Sequence, residues 1–246
     1  MNIYRTAEVA QIIGIHPNTV RLYEELELIP KPERKNNGYR VFTELHIDVF
    51  KLARIAFQIE VLQNGLRKKI VDMVKTTAAG DFDTALSMTD EYLLRVRREQ
   101  KNAKEAIKIT KQILSGHSVS QSLRLKRNEA AKLLDISMDT LRNWEMNGLL
   151  TVKRMENGYR IYTGEDVDRL KIIRSLRCAN YSLEAILNML STLSADPNTD
   201  IEKALDTPKP DNDIISVYDK LFTSLSLAER NAKQMRSMLR SIKQKY

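Results

Sequence analysis

Pro17-Asn18-Thr19-Val20-Arg21-Leu22-Tyr23-Glu24, followed by Asn37-Gly38-Tyr39-Arg40, returns about 120 residues later as Met138-Asp139-Thr140-Leu141-Arg142-Asn143-Trp144-Glu145, followed by Asn157-Gly158-Tyr159-Arg160. Around these stretches Ala10, Ile15 and Leu28 fall on Ala131, Ile136 and Leu149, and the second copy is one residue shorter before its Asn-Gly. A recurrence this long marks a duplicated domain, because the units of a solenoid repeat at roughly 20 to 50 residues. The charge is duplicated as well: residues 1–75 hold 12 basic and 9 acidic side chains, and residues 122–192 hold 12 and 9 again.

Local signals give each copy the same plan. Apolar Val9, Ala10, Ile12 and Ile13 stop at Gly14, and Pro17 opens a second helical run through Val20, Leu22, Tyr23 and Leu26, as proline does at a first helical position. In the second copy Ala130, Ala131, Leu133 and Leu134 stop at Asp135, and Ser137 suits the N-cap of a run from Met138 to Met146. This pattern is helix, tight turn, helix. Asn-Gly then precedes Tyr39, Val41 and Phe42 in one copy and Tyr159, Ile161 and Tyr162 in the other, which predicts a short hairpin, or wing, on a type I′ turn. Thr43 and Thr163 sit as N-caps before further helices, with Asp166 completing a capping box.

A helix-turn-helix with a wing has a physical use. Its second helix fits the major groove of DNA, where each base pair shows a distinct donor and acceptor pattern, and a basic wing residue reaches phosphate nearby. Asn18, Thr19 and Arg21, or Asp139, Thr140 and Arg142, project from the two recognition helices. Arg40 and Arg160 stand just past the wing turns beside Tyr39 and Tyr159. Tyr23 and Trp144 suit either stacking on the sugar-phosphate backbone or packing into the domain core. One helix-turn-helix is a weak signal, but two copies keeping Thr-x-Arg and Asn-Gly-Tyr-Arg make DNA binding the better reading.

Each copy resembles the DNA-binding domain of the MerR family of bacterial transcription regulators. The resemblance rests on Thr19 to Glu24 with Gly38-Tyr39-Arg40-Val41-Phe42, and on Thr140 to Glu145 with Gly148-Leu149-Leu150 and Gly158-Tyr159-Arg160-Ile161-Tyr162. It implies winged helix-turn-helix readers, long dimerisation helices, and a regulator that bends and untwists promoter DNA, with RNA polymerase as a further partner. Three positions depart from the family pattern. Glu27 stands where the family usually has glycine, Asn143-Trp144 replaces the common Tyr-Tyr, and Thr151 replaces proline. The second reader is therefore expected to read a different half-site, or to read its half-site less well.

The long helices set the architecture. Positions 218, 221, 225, 228, 232, 235, 239, 242 and 246 are Tyr, Leu, Leu, Ala, Ala, Met, Leu, Ile and Tyr, a four-three spacing that makes a coiled-coil seam. Residues 84–115 repeat it more loosely, with Leu86, Leu93, Val96, Ala103, Ile107 and Leu114 on the seam and Thr89, Gln100 and Thr110 interrupting it. These helices measure roughly 48 and 51 Å at about 1.5 Å per residue. The linker of about eight residues after the first reaches at most about 29 Å, so the second helix is expected to run back along the first. The expected fold is mostly α: a first reader over 1–75, a coiled-coil helix over 84–115, a second reader over 122–192, an acidic, proline-containing connector over 193–212 with a short helix around Ile201 to Leu205, and an antiparallel coiled-coil helix over 213–246. One chain would then form an intramolecular pseudo-dimer, with a homodimer of four readers as the alternative.

Other classes are disfavoured. No catalytic triad order, paired-carboxylate motif or glycine-rich phosphate loop stands out. A single cysteine, Cys178, gives neither an internal disulfide nor a thiolate cage for a metal, and it reads as a small buried residue. His16 reads as a helix-entry or phosphate-touching residue, and His46 and His117 as isolated and solvent-facing. No cofactor, metal or enzymatic activity is expected. Neither a signal peptide nor an apolar run of about 18 residues is present, so a cytoplasmic protein without membrane partner is expected. The net charge of +8 suits a polyanion. The operator, the sign of regulation and any small-molecule effector stay unassigned, and the alternative function is an architectural or excisionase-like DNA-bending protein without direct promoter control.

Overall fold

The computed structural model describes residues 2–58, 62–114, 123–153, 158–195 and 214–246. Asn157, the linker with His117, and the connector beyond Ala195 with its expected short helix lie outside the described residues. The chain divides into two compact units, Met1–Arg97 with Leu225–Tyr246, and Arg98–Ser224. Each unit thus combines one reader with stretches of the two long helices.

In the first unit, β1 (Ile3–Tyr4) leads into α1 (Thr6–Ile13) and α2 (Pro17–Glu25), and the wing is β2 (Glu33–Arg34) with β3 (Arg40–Thr43). β3 is the central strand, pairing Tyr4 with Phe42 on one side and Arg34 with Arg40 on the other, both antiparallel. Two-residue strands such as β1 carry no alternation to read, so this edge escapes the sequence. α3 (Glu44–Ala56) and α4 (Leu66–Ala78) follow. Val9, Val20, Phe42, Val49, Phe50 and Leu52 are fully buried and form the core that holds α1, α2 and the wing on α3.

Helix endings explain the tight turns. At Gly14 (φ +71) the amides of Gly14 and Ile15 bond Gln11 O and Ala10 O, a left-handed cap that satisfies the last carbonyls. Asp135 (φ +53) does the same in the second copy. Aspartate tolerates this conformation better than most side chains do.

The wing turn differs from the expected type I′. The Gly38 amide bonds Lys35 O at 2.8 Å and the Lys35 amide bonds Tyr39 O at 2.9 Å, while only Gly38 has positive φ. A type I′ turn needs positive φ at both central residues. The loop is therefore a type I turn over Lys35 to Gly38 with glycine forming the bulge, the usual three-residue hairpin connection.

His46 is buried rather than solvent-facing. It stands edge-on to Phe42, and its Nδ1 accepts the Thr43 amide at 3.0 Å at the start of α3. Burial pushes its pKa below the usual histidine value, against a smaller upward pull from the Lys31 backbone.

The second unit repeats the reader: β4 (Arg124–Leu125), α6 (Arg127–Leu134), α7 (Met138–Met146), β5 (Tyr162–Thr163), α8 (Gly164–Cys178) and α9 (Leu183–Ala195). β4 pairs with β5, Leu125 opposite Tyr162. The capping box forms: Thr163 Oγ1 accepts the Asp166 amide at 3.3 Å, and Asp166 accepts the Thr163 amide at 2.8 Å. Cys178 is buried, and burial pushes its thiol up to about 12, so it stays a protonated packing group.

Both long helices form, α5 (Phe82–Leu114) and α10 (Ile214–Lys245). In the first unit they run antiparallel. Asp83, Asp90 and Arg97 of α5 pair with Lys243, Arg236 and Glu229 of α10, one helix advancing a heptad as the other retreats by one. On α10 the expected seam is buried from Leu221 to Ile242, while Tyr246 is exposed and its hydroxyl donates to Asp48. The side chain of Tyr218 lies outside the described residues.

The seam of α5 agrees with the expected one in its middle and departs from it toward both ends. Of the expected seam Leu93, Val96 and Ala103 are buried, joined by Ala85, Thr89, Tyr92, Glu99, Ala106, Ile109 and Thr110, whereas Leu86 and Ile107 are only half-buried. Thr89 and Thr110 satisfy their hydroxyls on their own helix, at Ala85 O and Ala106 O. They are therefore seam residues rather than interruptions. Glu99 belongs there because it has a buried partner, Arg174.

Candidate nucleic-acid interface

Each recognition helix presents its outer face by locking its inner one. The entry of α2 is set by Pro17 and by His16, whose Nδ1 accepts the Asn18 amide at 3.2 Å. Ser137 Oγ accepts the Thr140 amide at 3.0 Å at the entry of α7. Inward-facing Val20 and Tyr23, or Leu141 and Trp144, anchor the helices, and the Tyr23 ring stacks on Phe50 at 5.0 Å. From Thr19 to Ile29 and from Thr140 to Leu150 the pattern of buried, half-buried and exposed residues is identical, position by position.

Tyr23 is 7% exposed and Trp144 4%. Of their two sequence readings, core packing is therefore the observed one, and the stacking reading is withdrawn because almost no ring surface faces outward. Asn18 and Arg21, with Asp139 and Arg142, stay exposed, and Thr19 and Thr140 are half-buried. Arg21 donates through Nη1 to Asn18 Oδ1 at 3.2 Å, which holds the guanidinium along the helix before any ligand arrives. Tyr39 and Tyr159 both stand well exposed at the wings.

Arg40 and Arg160 have partners that spacing alone does not reveal. Arg40 Nε pairs with Glu24, which Arg34 also approaches at 3.5 Å. Arg160 Nε pairs with Glu145 at 3.0 Å, and Glu145 also takes Arg127 at 2.8 Å and the Tyr162 hydroxyl. Glu24 and Glu145 thus fasten each wing to its recognition helix, and each carboxylate is outnumbered two to one by guanidiniums. Burial, reinforced by the bond to Glu145, pushes the Tyr162 phenol up to about 12. In the second reader Arg127, Arg142 and Arg160 surround Glu145 in a hollow of about 410 Å³, a net positive concavity of the kind that attracts phosphate.

Glu24, Glu145, Arg34 and Arg127 were missed as site residues. The two glutamates carry a usable signal, since both stand at the same place in the repeat. Arg127 carries none, because Thr6 holds its place in the first copy. Among the described residues, no group of three or more His, Cys, Asp or Glu is placed to hold a metal ion, and no helix is long and apolar enough to cross a membrane.

Two helices joined by a tight turn, backed by a wing and faced by an exposed arginine, define the winged helix-turn-helix class in the first unit; the second repeats the helices, the arginine and the closing strand, its wing residues 154–157 lying outside the described residues. Family comparison agrees: residues 5–42 match the MerR family regulatory protein model and residues 125–193 the MerR HTH family regulatory protein model. The chain thus carries two helix-turn-helix regions of MerR type. It is similar to the mercuric resistance operon regulatory protein of Bacillus cereus, 26% identical over 45% of this chain and 80% of the relative. It is also similar to the HTH-type transcriptional regulators ZntR, 41% identical over 26% of this chain and 45% of the relative, and CueR, 41% identical over 24% and 42%, both of Escherichia coli. The matched region thus spans less than half the length of those two regulators. No solved structure matches the chain significantly.

Proposed function

We propose that the protein is a sequence-specific regulator that binds one promoter operator through both readers and distorts the DNA between the half-sites, altering how RNA polymerase meets the promoter. The observation that carries this reading is the repeated outer face: Arg21 and Arg142 stand exposed at equivalent positions on helices whose burial patterns coincide. An arginine so placed suits a bidentate contact to guanine O6 and N7. The glutamate-fastened wing arginines leave a net positive surface beside each helix for phosphate. Distortion of DNA costs energy that phosphate contacts must offset, so binding should be strongly salt-dependent.

The readers differ where they face outward. Asn18, Leu22 and Glu25 of the first correspond to Asp139, Asn143 and Met146 of the second. The operator should therefore be an imperfect palindrome. The antiparallel ion pairs of α5 with α10 within one chain support the pseudo-dimer. Selection from a random duplex library tests the proposal. Arg21→Ala and Arg142→Ala should each relax base preference in one half-site by about 1 to 3 kcal/mol. Unchanged base preference in both variants would refute it. Genome-wide footprinting separates this function from a DNA-bending architectural protein, which would occupy many dispersed sites.

A further inference from the structure

The duplication supplies an internal comparison at the place where each reader meets a long helix. In the second unit α8 presents Lys171 and Arg174 toward α5, and both are neutralised: Lys171 by Glu105 at 2.8 Å, Arg174 by Glu99 through two hydrogen bonds at 2.6 and 2.7 Å. Arg98 with Asp135 closes the same hollow, which holds only about 130 Å³. In the first unit the matching cations are Lys51 and Arg54 of α3. The facing turns of α10 supply Asn231, Gln234 and Met238, and no carboxylate among them. Asn231 instead donates to Ile55 O and Gln58.

Lys51 and Arg54 therefore make no ion pair or hydrogen bond among the described residues. Lys51 is the weakest influence on Glu44, which Tyr4 and Asn2 already hold, and Asp48, three residues before Lys51 on α3, is taken by Lys245 and the Tyr246 hydroxyl. Between the two cations and α10 lies an open groove of about 350 Å³ floored by Ile12, Ile13, Ile55 and Met238. Ile12 is 46% exposed there, so its apolar surface is uncovered. The volume falls in the range of small-molecule sites, which pair apolar walls with a few placed polar groups.

We propose that this groove of the first unit binds a small amphipathic carboxylate, its head between Lys51 and Arg54 and its hydrocarbon body on Ile12, Ile55 and Met238. The two cations are three residues apart on one helix and so share a face. The ligand's carboxylate replaces the carboxylates that α5 provides in the second unit. Such a ligand touches α1 and α3 of the reader and α10 together, and would stiffen their contact. Binding itself is independent of DNA; only its regulatory consequence rests on the proposed function.

The test uses the full chain carrying ¹³C-methyl methionine, with the Met238 signal assigned by Met238→Leu, titrated with octanoate and with octanamide as its neutral counterpart. Octanoate should shift Met238 saturably, and octanamide should bind at least about tenfold more weakly. Gln234→Glu, which supplies an internal carboxylate on an exposed position, should weaken octanoate at least about tenfold, as should Lys51→Gln with Arg54→Gln. No saturable shift with millimolar octanoate, equal binding of octanamide, or undiminished binding in either variant would overturn the proposal.

Discussion

The buried pair of Glu99 and Arg174 gives a demanding test of how the second unit holds together. Their side chains are 8% and 6% exposed and joined by two charge-assisted hydrogen bonds, and Arg174 Nε also donates to Leu134 O at the end of α6. Burial opposes the charge on Arg174, but the hydrogen bonds and attraction of Glu99 outweigh it and raise its pKa. Glu99→Gln sets an amide NH₂ against the guanidinium and leaves a buried charge without its counter-ion, which should cost about 3 to 5 kcal/mol. Replacing both residues, Glu99→Leu with Arg174→Met, removes the charge problem entirely. What then remains is mainly the lost bond to Leu134 O, about 1 kcal/mol. Urea unfolding followed through Trp144, the single tryptophan and a buried residue of the second unit, reads both effects. A single variant costing under about 1 kcal/mol, or a double variant as costly as the sum of the singles, would refute the argument.

Glu27 holds a left-handed backbone at φ +58 where the second copy has Gly148 at φ +74. Glu27→Gly should stabilise the first unit by about 0.5 to 1 kcal/mol, because relief of the side-chain clash exceeds the loss of an exposed ion pair to Lys75. Thermal unfolding measures this, and a lower melting temperature in the variant would contradict it. His46 is a second case. Its folded-state pKa lies below the ordinary 6.5, so the unfolded chain takes up the proton first, and stability present above about pH 6.5 is lost as pH falls through the folded value. His46→Gln should flatten that loss in urea titrations between about pH 7 and about pH 5; an unaltered pH slope would remove His46 as its cause.

Much of this architecture was legible because it was written twice. Thr140 to Glu145 confirms what Thr19 to Glu24 suggests, and helix endings at Gly14 and Asp135 follow from residues that accept positive φ. What escaped depends on partners remote in sequence. On α5 the sequence finds the buried Leu93, Val96 and Ala103 but misses Ala85, Ala106 and the self-satisfied Thr89 and Thr110, because a search for large apolar residues selects Leu86 and Ile107 in their place. Glu99 is readable as a seam residue only once Arg174 is known to face it. The wing arginines were found by motif, but their attachment to Glu24 and Glu145 appears only when strand and helix are folded together. His46 looked isolated because a histidine at the third position of a helix seldom signals a cap, although Asp166 holds the same place in the second copy.

The number of chains on one operator tests the central claim most directly. With a duplex obtained by selection, sedimentation of the complex in parallel with footprinting should show a single chain covering two unlike half-sites. Two chains on that duplex, or a single chain protecting only one half-site, would contradict it.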